Sequence, residues 1–102
     1  MTPRLTFRPQ ARSELREARR YYDRQLAGLG RAFIAEVEAT LAYVRMEPLL
    51  FATYGDDPVI RRALLHRFPY QVLYEIRPSG DVVVLACRHV RRDEIDVQDR
   101  RG

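Results

Sequence analysis

The side chains best suited to acid–base chemistry lie in the last strand-like segments of the chain. Cleavage of a phosphodiester without a metal needs a base, an acid and cations near the phosphate. His89 follows an apolar run and stands between Arg88 and Arg91, which makes it the main candidate for proton transfer. Glu75 and His66 are weaker candidates for proton transfer. Glu75 also fits a structural ion pair with an arginine, and we favour that interpretation because ion-pair networks imitate active sites.

The basic residues of this chain are all arginines. The sequence has 18 of them and no lysine, so no amine is available as a general base. Arginines on consecutive strands can bind phosphate or carboxylate groups in a bidentate manner. We therefore predict a partner-binding surface formed by His89 and six arginines: Arg61, Arg62, Arg67, Arg88, Arg91 and Arg92. Solubility is the alternative explanation for these charges.

The first half of the chain predicts a short strand and two helices. Leu5–Phe7 alternates in polarity and suits an edge strand. From Pro9 onward, apolar residues recur at spacings of three and four, which indicates a helix. Its stripe consists of Ala11, Leu15, Ala18, Tyr22 and Leu26, and its arginines fall outside the stripe, on what we interpret as a solvated face. After a turn at Gly28 and Gly30, a second helix carries its stripe on Phe33, Val37, Leu41 and Val44.

The second half of the chain predicts strands. A connector over 47–58 leads to segments at 59–66, 70–76 and 82–89, the last apolar on both faces and so central. The turn after Ile76 suits a hairpin. The sequence thus predicts a single α+β domain over 1–102, in which an N-terminal strand and an αα-hairpin precede a three-stranded antiparallel meander. The helices are expected on one face of the sheet, and the polar tail over 93–102 is expected to fray.

Several classes of protein are excluded by composition and motifs. No apolar segment has the length of a membrane span or a signal peptide. The single cysteine, Cys87, lies in an apolar strand, and we interpret it as a small buried hydrophobic residue. With one cysteine no internal disulfide can form, which favours a reducing compartment, the cytoplasm. No phosphate loop or metal-ligand spacing is present, so we expect no cofactor and no metal. The formal charge of +4 suits an acidic protein partner as well as nucleic acid.

Four segments together resemble a known family. IRRALLHRFPY is followed by QVLYEI and then, after a turn, by VVVLACRHVRRDE, and GLGRAF opens the second helix. This combination resembles the RelE/ParE toxin superfamily from Leu5 to Arg92, and is most similar to its ParE-like branch. The resemblance implies a toxin of a type II toxin–antitoxin module, neutralised by a cognate antitoxin whose flexible region wraps around it.

The resemblance leaves the target open. ParE-like toxins inhibit DNA gyrase, whereas RelE-like toxins cleave messenger RNA on the ribosome. The RelE branch relies on lysines and a C-terminal tyrosine, but this chain has no lysine and no tyrosine after Tyr74. Another ribonuclease branch uses a glutamate, an arginine and a histidine, which Glu75, Arg67 or Arg88, and His89 could supply. A gyrase inhibitor is therefore the main expectation, with a ribosome-dependent endoribonuclease and a non-toxic binding module as alternatives.

Overall fold

The computed structural model describes residues 3–91 and 97–101, with two helices and five strands. The elements are β1 (Leu5–Phe7), α1 (Pro9–Gln25), α2 (Leu29–Met46), β2 (Thr53–Tyr54), β3 (Asp57–Leu64), β4 (Tyr70–Ile76) and β5 (Val82–His89). Short 3-10 helices follow at Pro48–Leu50 and Val97–Arg100. The strands form one sheet in the order β1-β5-β4-β3-β2. The predicted α+β fold is confirmed, with the antiparallel meander formed by β3, β4 and β5.

The helix hairpin packs on one face of the sheet, as predicted. Ala11 and Ala18 of α1 and Phe33 of α2 share a buried cluster with Val84 and Cys87 of β5. Small residues on α1 let its axis approach the sheet closely, and Pro9 suits the first turn because it lacks an N–H. Leu26 departs from the predicted stripe: α1 ends at Gln25, and Leu26 is 65% exposed.

A close helix–helix contact explains Gly30. The sequence places Gly30 in the turn, but it lies inside the first turn of α2 and is buried. A Cβ on Gly30 would lie 2.5 Å from the backbone oxygen of Arg19. Its N–H donates to Oδ1 of Asp23 at 2.8 Å. Gly28 is the true turn residue, because its φ of 89° is left-handed.

The last strand is buried on both faces, as its apolar run predicts. β5 lies between the parallel strand β1 and the antiparallel strand β4. Leu73 pairs with Ala86 and Tyr74 with Val84, so Leu85 is an extra residue in a β-bulge. β1 pairs only with Val82–Val84, which leaves the rest of this edge of β5 beside α1.

The predicted boundary of the first meander strand is wrong. β3 begins at Asp57, which the sequence assigned to a turn, and ends at Leu64. His66 therefore lies beyond the strand, where its N–H donates to the carboxylate of Glu36 on α2. The connector contributes the short strand β2, which the sequence did not predict.

Residues 97–101 of the tail, which the sequence predicts to fray, contact the main body. Val97 is 4% exposed and packs against Leu73 and Leu85 on the face of the sheet opposite the helices. Arg100 and Arg101 form ion pairs with carboxylates of the main body. Both apolar packing and ion pairs therefore hold residues 97–101 against the main body. Positions 93–96 and 102 lie outside the described residues. Neither α1 nor α2, nor any other described helix, is long and apolar enough to cross a membrane.

Candidate functional site

The structure divides the predicted arginine surface into separate locations. Arg61 of β3 is structural, because its guanidinium donates to the backbone oxygens of Phe51 at 2.8 Å and Leu49 at 3.2 Å. Arg62 is exposed on the same strand. Arg67 is exposed in the loop before β4, where its guanidinium lies 5.6 Å from the centre of the Phe68 ring.

The remaining described members of the predicted surface come together. Arg88, His89 and Arg91 line a groove of about 840 Å³ between the second half of α1 and the end of β5, here called the α1–β5 groove. Arg61, Arg62 and Arg67 do not line it. Arg91 is exposed, as expected, and Arg92 lies outside the described residues.

Helix α1 supplies the residues of the groove that sequence reasoning missed. Arg20 and Arg24 of α1 line the wall opposite Arg88 and Arg91. Their spacing of four residues places them on one helix face, but periodicity only shows that they avoid the core. Their proximity to β5 depends on how α1 crosses the sheet, so we find no signal in the sequence that separates them from the other arginines of this helix.

Glu14 of α1 is a carboxylate that the sequence analysis did not single out, and it lines the groove. Its Oε2 lies 3.4 Å from Nε of Arg88, and its Oε1 accepts from Nη1 of Arg100 at 2.9 Å. The same Oε1 accepts the backbone N–H of Cys87 at 3.1 Å, on the edge of β5 that β1 does not reach. Glu14 therefore protects an open strand edge while holding Arg88 in place.

Arg88 pairs with Glu14 but keeps one buried donor without a described partner. Its side chain is 18% exposed. Its Nη1 is buried and has no hydrogen-bond partner among the residues that the structure describes. A guanidinium carries several N–H donors, and leaving one buried and unpaired is unfavourable. Nη1 of Arg88 is therefore an unsatisfied donor in the interior, beside the groove.

The imidazole ring of His89 contacts Arg91 and Tyr70. Its Nδ1 accepts the backbone N–H of Arg91 at 3.0 Å, and its ring packs edge-on against Tyr70 with centroids 5.5 Å apart. In neutral imidazole one nitrogen accepts and the other carries the proton. In the neutral ring this arrangement leaves Nε2 as the donor, while Nδ1 is already used as an acceptor.

Glu75 forms ion pairs, but with other arginines than those that the sequence predicted. It is 3% exposed, and Nη2 of Arg101 lies 2.6 Å from its Oε2. Nε of Arg77 lies 3.3 Å from its Oε1. Both partners are arginines outside the predicted set. Glu75 pairs with Val83, whereas His89 lies at the other end of β5, roughly 17 Å or more away at the usual rise of a strand.

The remaining groups near the groove are poor reactants. Burial raises the pKa of the Cys87 thiol to about 12, so the thiolate that would act as a nucleophile is suppressed. Burial also raises the pKa of Tyr22, with a smaller contribution from Tyr70. Over residues 3–91 and 97–101, no group of His, Cys, Asp and Glu side chains is arranged to hold a metal ion. The groove therefore offers arginine side chains that can bind anions.

The sequence of the chain matches a known protein family. Residues 5–94 match the family described as the ParE toxin of the type II toxin–antitoxin system, parDE. No curated protein matches the sequence.

Solved structures share the fold at low sequence identity. A chain of the chromosomal ParDE toxin–antitoxin system from P. aeruginosa has a TM-score of 0.74 at 12% identity, covering 86% of this chain and 96% of that one. A mutant of the E. coli toxin RelE in the free state has a TM-score of 0.72 at 20% identity, covering 98% and 94%. A chain of the RelBE2 toxin–antitoxin complex from Mycobacterium tuberculosis has a TM-score of 0.60 at 23% identity, covering 87% and 99%.

Proposed function

The chain belongs to the ParE toxin family of type II toxin–antitoxin systems, and from this premise we propose that it inhibits DNA gyrase and is neutralised by a cognate antitoxin. The family supplies the role as a toxin component. The choice of gyrase rests on the ParE-like branch and on the chemistry of the described residues. The cytoplasm, where gyrase acts, is the compartment that this proposal requires.

The observation that carries the proposal is the separation of the acid–base candidates. Ribonuclease chemistry needs a base and an acid on either side of the same phosphate. Glu75 is buried in an ion pair with Arg101, at the opposite end of the sheet from His89. His66 is exposed in the loop after β3, and His89 already uses Nδ1 as an acceptor. The described residues thus supply cations for a phosphate but no pair of groups for proton transfer.

A comparison of two purified targets tests the proposal. The protein should inhibit supercoiling of relaxed plasmid by gyrase in a concentration-dependent manner, and it should leave messenger RNA intact on programmed ribosomes. Cleavage of the messenger that is abolished in His89→Ala would replace this function by that of a ribosome-dependent endoribonuclease. Lack of effect in both assays, together with normal growth on induction, would indicate a non-toxic binding module.

A further inference from the structure

We propose that two copies of this chain form a symmetric dimer through the exposed face of α2, with their α2 helices packed antiparallel. The face is defined by four exposed residues, here called the outer seam of α2: Ala35, Ala39, Ala42 and Met46. It lies apart from the α1–β5 groove, since none of the described groove residues belongs to α2. The dimer does not depend on the proposed inhibition of gyrase.

Helix α2 is apolar on the face that points to solvent as well as on the face that points to the core. The core face consists of Gly30, Phe33, Val37, Leu41 and Val44. The outer seam recurs at spacings of four, three and four residues. At about 100° per residue, its centre lies on the side of the helix opposite the core face. Because a helix that is apolar on both sides is normally covered on both sides, the outer seam needs a partner.

Helix α1 provides the contrast within the same protein. Its exposed residues are mostly charged or polar, as expected of a solvated face, whereas most exposed residues of α2 are apolar. Met46 is 77% exposed and Tyr43 is 57% exposed. The 3-10 helix that follows adds Leu49 and Leu50, both also exposed. An apolar patch of this kind indicates a surface that binds protein.

Antiparallel packing about a two-fold axis matches large side chains to small ones. In that arrangement Ala39 of one copy meets Ala42 of the other, and Met46 meets Ala35. Alanines at the centre let the two helix axes approach to about 8 Å, the low end of the usual range. The flexible side chain of Met46 then fills the space above Ala35. Because the interface is symmetric, this contact is made twice.

Charges beside the outer seam favour the same arrangement. Glu38 and Arg45 are exposed on one flank of the seam, and neither forms an ion pair with a residue in the described part of the chain. The spacing of the seam is that of a coiled coil, and in an antiparallel pair the same flanks of the two helices face each other. Glu38 of one copy therefore lies opposite Arg45 of the other. A parallel pair would instead place Glu38 opposite Tyr43, without a charge to meet it.

The size of the outer seam predicts a weak dimer. One helix from each copy, with alanines at its centre, buries an area at the low end for specific interfaces. We therefore expect a dissociation constant on the order of 10 μM. Sedimentation equilibrium of the purified chain, which has a mass of 12.0 kDa, measures it directly. The average mass should rise from that of one chain towards that of two as the concentration increases from about 1 to about 200 μM.

A matched pair of variants tests the place of the interface. Ala39→Glu introduces a charge at the centre of the outer seam, and Ala27→Glu introduces the same charge at an exposed alanine in the turn before α2. We expect dimerisation to weaken by about tenfold or more in Ala39→Glu, because the charge would be buried without a partner, and to stay within about twofold of wild type in the control. Both variants should unfold at nearly the wild-type temperature, since both sites are exposed in the single chain.

An exchange of charges tests the antiparallel orientation. Glu38→Arg and Arg45→Glu each place like charges opposite one another twice in the dimer, so each should weaken it by about fivefold to tenfold. The double variant Glu38→Arg/Arg45→Glu restores opposite charges and should recover most of the wild-type affinity. Failure of the double variant to recover would refute the antiparallel pairing.

Other results would overturn the dimer itself. Wild-type protein that stays monomeric up to about 200 μM, well above the expected dissociation constant, would refute it. A dimer that Ala39→Glu leaves intact would show that the interface lies elsewhere on the molecule. If wild type is monomeric and Ala39→Glu instead weakens binding of the purified product of the adjacent small open reading frame, the outer seam serves a different protein and the dimer is wrong.

Discussion

Glu14 shows how one side chain connects three parts of this molecule. It lies on α1, yet its carboxylate binds Arg88 of β5, Arg100 of the C-terminal segment and the backbone of Cys87. Its side chain is 17% exposed, so these interactions form in partial isolation from solvent. Removing its charge leaves two arginines without their counter-ion, which is costlier than losing an exposed ion pair.

Replacement of Glu14 by glutamine tests this connection. We expect the free energy of unfolding in urea to fall by about 1–3 kcal/mol, because neutral glutamine cannot compensate both guanidinium groups. Glu17→Gln is the matched control, since Glu17 is exposed on the same helix and makes no ion pair with a described residue. Equal stability of the two variants would contradict the role assigned to Glu14.

Cys87 should make the free energy of unfolding depend on pH in the alkaline range. Burial, and to a smaller extent the charge of Glu14, raises the pKa of its thiol from 9.0 to about 12. Below about pH 9 the thiol is protonated in both the folded and the unfolded states, so its contribution is fully present. Between about pH 9 and 12 only the unfolded state ionises, and stability falls by up to about 1.4 kcal/mol per pH unit.

Comparison of wild type with Cys87→Ala isolates this effect. The cavity left by the missing sulfur should lower the stability of the variant at every pH. Its free energy of unfolding should nevertheless decline less steeply than that of wild type above about pH 9. Tyr74, whose pKa burial raises to about 12, contributes to the decline in both proteins. Parallel profiles from urea unfolding at several pH values would show that the thiol is not responsible.

At the scale of elements, the helix hairpin depends on a close contact at Gly30. Helix propensity alone would predict the wrong sign for the effect of Gly30→Ala on stability. Alanine is a better helix former than glycine by about 1 kcal/mol. At Gly30, however, the added Cβ would overlap Arg19 O at 2.5 Å and Cγ of Asp23 at 2.7 Å. The helices would have to separate, or α2 would lose the hydrogen bond from the Gly30 N–H to Asp23.

Gly30→Ala should therefore be destabilising, by about 1–3 kcal/mol in urea unfolding. Gly28→Ala provides the comparison, because a Cβ there meets no atom within 4 Å and the cost is backbone strain at a φ of 89°. Gly28→Asn should recover part of that loss, since asparagine tolerates the left-handed region. Gly30→Asn should recover nothing. A Gly30→Ala variant that is more stable than wild type would refute the close contact.

The C-terminal segment is anchored by Arg101, which binds Oε2 of Glu75 and Oδ2 of Asp57. The hydrogen bond that Arg101 donates to Glu75 is the main reason that the pKa of Arg101 is raised. We expect Arg101→Ala to lower the free energy of unfolding by about 2 kcal/mol, because it weakens the compensation of a buried carboxylate. Arg91→Ala, an exposed arginine, should change stability by about 0.5 kcal/mol or less. Equal losses in the free energy of unfolding for Arg101→Ala and Arg91→Ala would mean that the C-terminal segment contributes little to stability.

The sequence predicts some elements closely and others not at all. The bounds of β1, β4 and β5 agree with the prediction, because proline or polar turns flank clear apolar patterns. β2 spans only Thr53–Tyr54 and exists through its pairing with β3, so no local pattern reveals it. The C-terminal segment is mostly polar, and it is ordered by ion pairs to distant residues that composition cannot show.

For the molecule as a whole, the fold follows from the sequence more fully than the candidate site does. The helix hairpin and the antiparallel meander follow from periodicity, alternation and short connections, whereas the order of the strands in the sheet, with β1 parallel to β5, does not. The predicted surface is divided, because Arg61 binds the connector while Arg88, His89 and Arg91 meet α1. Which arginines share a groove depends on how α1 crosses β5, and that is decided by packing of the whole domain.

Controlled expression in living cells, with and without the adjacent reading frame, is the measurement that tests the toxin assignment most directly. Induction of this chain alone should arrest growth and leave plasmid DNA less supercoiled, as expected when gyrase is inhibited. Co-expression of the adjacent small protein should restore both growth and supercoiling and should yield a complex that copurifies. Normal growth on induction of the chain alone, with the folded protein present in the cells, would contradict the account.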